Sequence, residues 1–215
     1  MPPTNAVRRD RLADAAIGLL ARAGARGLTH RAVDAEAGQP PGTTSRYFRT
    51  RQALMCGAAE RLRTVHFADL ARAPTGPVEP TAVADHLAAI VRTALTSGRV
   101  RQVAALELYL ESTRRPELRA VLTEARLAQV TLMREIHWAA GIDLTDHQAS
   151  MLITGVTGLI VVALTTPEAI GVHHPEDVAD LVRALAATAA AAADGGRDLD
   201  RDGRHAPRTR HEQNE

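Results

Sequence analysis

Apolar residues in this chain recur every three or four positions, and glycine or proline cuts the recurrence at short intervals. Leu12, Ala15, Ala16, Leu19, Leu20 and Ala23 form one such stripe, and Leu152, Val156, Leu159, Ile160 and Ala163 form another. Val178, Leu181, Val182, Leu185 and Ala189 make a third. That spacing puts each set on one face of a helix, whereas no run of strict alternation supplies the two faces of a strand. Ala and Leu dominate the 45% of hydrophobic residues, and the aromatics are only Tyr47, Phe48, Phe67, Tyr109 and Trp138. This composition favours helices and an aliphatic core, so the expected fold class is all-α.

The breakers divide the chain into nine helices. The first is expected over 6–23, ending at Gly24. Thr29 can cap a second over 30–37, closed by Gly38; Pro40-Pro41-Gly42 then interrupts the chain before a short third helix ending at Phe48. Thr50 is the expected cap of a long fourth helix reaching Arg72. Pro74, Gly76, Pro77 and Pro80 make the clearest internal boundary, followed by helices over 81–96, 99–113, 116–140, 145–164 and 175–192. From Asp194 the chain is rich in Arg, Asp and Gly with almost nothing apolar, which predicts a disordered tail over 194–215.

Charge is unevenly spread although the net is +1. Residues 1–63 carry eleven arginines against five acids, while the rest carries 15 against 20; the sequence has no lysine. A basic head on a mildly acidic body points to a polyanionic partner for the head. The single Cys56 excludes an intrachain disulfide framework and fits a reducing, cytoplasmic compartment. Arg8, Arg9 and Arg11 precede an apolar run as in an export signal, but Asp14 interrupts it at helical period. The uncharged stretch 148–167 approaches membrane-span length; its threonines and glycines favour burial in a protein or a dimer, and no membrane partner is expected. The nine histidines have no metal-ligand spacing and no acid–base constellation is present, so neither an enzyme nor a metal or other cofactor is expected.

Residues 29–48 have the layout of a helix-turn-helix, in which the second helix can enter a DNA major groove. Its surroundings are more specific. Gly27-Leu28-Thr29, Val33, Ala37-Gly38, Gly42-Thr43, Tyr47-Phe48 and Thr50-Arg51-Gln52-Ala53-Leu54 together make the segment resemble the N-terminal domain of TetR-family transcriptional regulators. The resemblance implies a three-helix DNA-binding domain over 1–54, bridged by the fourth helix to a helical effector-binding and dimerisation domain over 55–193. It places His30 and Arg31 against the DNA backbone, and Gly42, Thr43, Ser45, Arg46 and Tyr47 on the exposed recognition helix. Arg46 is the candidate base reader, because its planar fork suits the two acceptors of guanine. Tyr47 and Arg51 fit phosphate-facing positions. The chain departs from the family pattern at Asp34, where a small apolar residue is usual, at Gln39-Pro40 and at Thr44-Ser45.

For the larger domain the resemblance implies an effector pocket among the fourth to seventh helices. Its chemically distinctive candidates are His66, Phe67, His86, Glu107, Tyr109, His137 and Trp138. It also implies that the last two long helices pair with a second subunit through Leu152, Gly155, Val156, Leu159, Ile160, Val178, Leu181 and Leu185. The functional expectation is therefore a cytoplasmic homodimeric repressor that binds a double-stranded DNA operator and is released by a small-molecule effector. The alternatives are an activator of the same family, or a helical ligand-binding or interaction protein without DNA binding.

Overall fold

Thr29, Thr50 and Thr145 each stand in extended backbone with the side-chain oxygen turned onto a free helix N–H. They accept from Ala32 (3.1 Å), Ala53 (3.0 Å) and Gln148 (3.2 Å). Gln148 returns a side-chain bond to the Thr145 N–H and completes a capping box. The computed structural model describes residues 5–72 and 79–202. Its helices are α1 Asn5–Gly27, α2 His30–Glu36, α3 Thr43–Tyr47, α4 Arg51–Leu70, α5 Pro80–Leu95, α6 Arg99–Ser112, α7 Pro116–Ala139, α8 Asp146–Thr165 and α9 Pro175–Asp202. A short 3-10 turn, Pro167–Ile170, follows α8. No strand occurs among the described residues, and the chain is all-α.

Two boundaries carry information. Gly24 (φ 62°, ψ −174°) breaks the regular course of α1 at the expected stop, in a conformation that only glycine adopts without strain. The backbone of α9 is described to Asp202, past the start of the expected tail at residue 194. Residues 203–215 of the expected tail, and residues 73–78 of the expected boundary loop, lie outside the described residues.

The apolar residues segregate into two cores. One joins Leu12, Ala16, Ile17 and Leu20 of α1 to Val33, Phe48, Leu54, Met55 and Ala58, and it includes Ala104 and Leu108 of α6 and Leu118 of α7. The other assembles α5, α7, α8 and α9 around Leu87, Val91, Met133, Ile153, Val178 and Val182. The cut at 54/55 is therefore not a cut between cores, since α4 and α6 enter the first one. Gly57 of α4 has a steric reason: a Cβ there would lie 2.2 Å from Cε1 of the buried Phe48 ring. By length and composition α8 could cross a membrane. Only Ala149, Leu152 and Ile153 of it are fully buried, leaving much of an apolar helix on the surface.

Candidate functional site

The helix-turn-helix is built around a buried carboxylate. Asp34 accepts from the Gly42 N–H (2.7 Å), the Thr44 N–H (2.7 Å) and the Thr44 hydroxyl (2.5 Å). These bonds tie α2 to the first turn of α3, where free N–H groups favour an anion. Burial pushes the Asp34 carboxyl up, but the bonds from Thr44 and Gly42 outweigh it and hold the group below the ordinary carboxylate range. Gly42 takes φ 87° at the mouth of α3, and the Thr43 hydroxyl donates to the Pro40 carbonyl (2.7 Å).

Of the residues expected to meet DNA, Arg31, Ser45 and Arg46 are exposed, and neither arginine has a hydrogen-bond or ion-pair partner among the described residues. Arg49, which was not among the expected contacts, is exposed beside them. Gly42 and Thr43 shape the turn rather than present free side-chain donors. His30 differs from expectation. Its Nε2 lies 2.6 Å from the Phe48 carbonyl, and since a carbonyl only accepts, that nitrogen carries the proton and is committed inward. The Tyr47 hydroxyl donates to Asn5 Oδ1 (3.2 Å) at the start of α1.

Arg51, expected to face phosphate, is held within the chain. Its Nε donates to the Leu28 carbonyl (3.1 Å), and a terminal nitrogen donates to the Ala25 carbonyl. The Ala25 carbonyl also accepts the Leu28 N–H (3.2 Å), and the guanidinium fork ties it to the Leu28 carbonyl of the α1–α2 loop across the end of α1. On the other side of the loop, Glu107 Oε2 accepts from the Ala25 N–H (3.1 Å) and lies 3.3 Å from where a Gly24 Cβ would stand. Glu107, expected among the ligand residues, does not line the cavity described next and instead ties α6 to the end of α1. Replacing Glu107 by Ala is expected to cost about 1–2 kcal/mol. It should also speed hydrogen exchange at the Ala25 amide; exchange as slow as in the parent chain would contradict that tie.

A cavity of about 450 Å³ lies among α4, α5, α6, α7 and α8. That volume falls within the roughly 300–1,000 Å³ range of small-molecule sites. His66, Phe67, His86 and Tyr109 line it. His137 and Trp138 do not. His137 is buried, with Nδ1 donating to the Met133 carbonyl (2.8 Å), and burial holds its pKa below the ordinary histidine value despite that bond. Trp138 is 67% exposed, because it points from the last turn of α7 away from both cores. Burial also lowers the pKa of His66; Asp69 opposes the shift, while Arg126 and Arg101 add to it. The Gln129 amide nitrogen lies 3.0 Å from His66 Nε2, so the neutral ring accepts there and keeps its proton on Nδ1. The polar lining residues Arg101, Gln102, Arg126 and Gln129 were missing from the expected set.

The α8–α9 surface carries an open apolar groove lined by Gly155, Gly158, Leu159, Val162, Leu181 and Leu185, among others. Of the residues expected at a subunit interface, Gly155, Leu159, Leu181 and Leu185 face this groove. Leu152 and Val178 are buried in the chain's own core, and Val156 and Ile160 line the cavity instead. The broad apolar stripe of α8 is thus divided among core, cavity and groove.

Residues 78–201 match the family model described as tetracyclin repressor-like, C-terminal domain. No curated protein sequence matches the chain significantly. Among solved structures, multidrug binding protein EbrR complexed with ethidium is 28% identical, covering 83% of this chain and 98% of that one at a TM-score of 0.64. The same protein complexed with proflavin is 31% identical, covering 83% and 99%, at 0.55. A member of the TetR family from Streptomyces coelicolor A3 is 26% identical, covering 83% and 97%, at 0.63.

Proposed function

The chain belongs to the tetracyclin repressor-like (TetR) family of transcriptional regulators, and from that premise we propose that it is a cytoplasmic, non-enzymatic homodimer that occupies a DNA operator and is released by a small molecule in its cavity. The observation that carries this reading is that the same two helices serve both sites. Arg51 of α4 and Glu107 of α6 grip the α1–α2 loop. Leu62, His66 and Phe67 of α4 and Gln102, Leu106 and Tyr109 of α6 line the cavity. A ligand that fits the cavity better in one arrangement of α4 and α6 biases the head toward that arrangement. A coupling of about 1–3 kcal/mol changes DNA affinity about 5- to 150-fold.

Further support comes from EbrR, whose ethidium and proflavin complexes make it a structural relative that binds small molecules. The groove on α8 and α9 is the surface a second copy would cover. Two heads so joined would read half-sites about 34–36 Å apart. Arg46 reads base edges, and Arg31, at the N-terminus of α2, holds phosphate.

Selection of bound duplexes from a random DNA pool, followed by titration of variants, tests this. An enriched near-palindrome is expected. Arg46→Ala should relax preference at one position per half-site, at a cost of about 1–3 kcal/mol, while Arg31→Ala weakens binding to all duplexes alike and reduces the salt slope by about one. Equal losses on every duplex for both variants would refute that division, and a pool without enrichment would refute the DNA-binding reading.

A further inference from the structure

The charges around the cavity are one-sided. Its lining includes four arginines, Arg63, Arg72, Arg101 and Arg126, against a single carboxylate, Asp69. Asp69 is already shared, with Arg72 at 2.8 Å and Arg101 at 3.4 Å. Arg126 has no ion pair among the described residues; its one polar contact is a long bond of 3.5 Å to the Thr157 hydroxyl. His66, beside it, is held toward its neutral form by burial and by that same arginine. His86 of α5 also lines the cavity, and its Nε2 is buried without a hydrogen-bond partner among the described residues. The remaining wall is largely aliphatic, with Leu62, Leu87, Ile90, Leu106 and Ile153 among its members.

A guanidinium beside an apolar wall with only a weak neutral partner lacks the group that suits it best. A carboxylate can take two parallel N–H donors from it. His86 adds an imidazole to the lining. A cationic guest would meet four arginines and one aspartate that two of them already occupy. We propose that the cavity takes an amphipathic organic anion, a carboxylate on an apolar body, with Arg126 receiving the charge. This rests on the reading of the cavity as the effector site.

The test uses three probes with one ring system and three heads: 2-naphthoate, 2-naphthalenemethanol and 2-naphthylmethylammonium, each titrated calorimetrically into the full chain. The carboxylate should bind about tenfold or more tightly than the alcohol, and the ammonium more weakly than either. Arg126→Gln should bring carboxylate and alcohol within about twofold of each other while leaving the alcohol's affinity nearly unchanged. Arg126→Lys keeps the charge without the fork and should retain part of the preference. If the Gln variant does not fold, as judged by circular dichroism, the Lys variant and the three-probe series on the parent chain decide the matter. Ammonium binding as tight as carboxylate, or a carboxylate preference that survives Arg126→Gln, would overturn the charge assignment and leave the effector site standing. Failure of all three probes to bind the folded parent chain would overturn both.

Discussion

Asp34→Ala should lower the unfolding free energy by about 2–4 kcal/mol and weaken operator binding at least about tenfold. The Thr44 side chain is fully buried, and its N–H and hydroxyl, like the Gly42 N–H, lose the Asp34 acceptor in the variant. Without the carboxylate the first turn of α3 loses its hydrogen bonds to α2, and only the His30–Phe48 bond and the shared core still hold it, so α3 loses orientation as well as stability. Asp34→Asn keeps the shape but turns an amide N–H₂ toward groups that also donate, so it should recover only part of the loss. Urea unfolding followed by circular dichroism measures the first effect. A loss below about 0.5 kcal/mol for Asp34→Ala would show that water replaces the carboxylate without cost. There is an accompanying acid signature. Because the folded carboxyl lies below its unfolded value of about 3.9, its contribution is full above that pH. It disappears as pH falls through the depressed folded value, and stability in the alanine variant should fall less steeply over that acid window.

Gly158→Glu should split the proposed dimer without harming the subunit. Nothing lies within 4 Å of a Cβ at Gly158, which is exposed in the middle of α8. Within one subunit, replacing a mid-helix glycine by a good helix former stabilises by up to about 1 kcal/mol. In a dimer seated on the α8–α9 groove, the same carboxylate is buried against Leu159, Val162 and Leu181 with no cation lining the groove to pair it. An unpaired buried charge costs about 3–5 kcal/mol, which corresponds to a dimer dissociation constant raised more than about 100-fold. Sedimentation across a concentration series, alongside thermal unfolding, separates the two effects. A variant that remains dimeric at the parent concentration would remove the groove from the subunit interface.

The helices were legible because their signals are local. Threonine caps, helix-period stripes and the Gly24 stop are written within a few residues of where they act. The site was less legible because its residues are assigned by partners far along the chain. Asp34 stood out only as a polar residue in an apolar position; its meaning depends on two N–H groups and a hydroxyl eight to ten residues on. Arg51 read as a DNA contact, and its bonds to the carbonyls of Ala25 and Leu28, more than twenty residues earlier, had no local sign. Glu107 was visible as an acid among apolar neighbours, yet its partner is 82 residues away. The cavity arginine did leave a trace. Leu122, Arg126, Gln129 and Met133 follow the spacing of one helical face, and all four line the cavity. Two polar residues inside such a stripe mark a lined space rather than a packed one.

The most direct test of the central claim is fluorescence anisotropy of the selected duplex against a shuffled duplex of equal composition, repeated across a salt series. The account predicts saturable binding at one dimer per site, about 1,000-fold or more tighter than to the shuffled duplex. It also predicts a log–log salt slope of about −0.9 for each phosphate contacted. Equal affinity for the two duplexes at every salt concentration would contradict it, because Arg46 on its Asp34-held helix would then be reading no sequence at all.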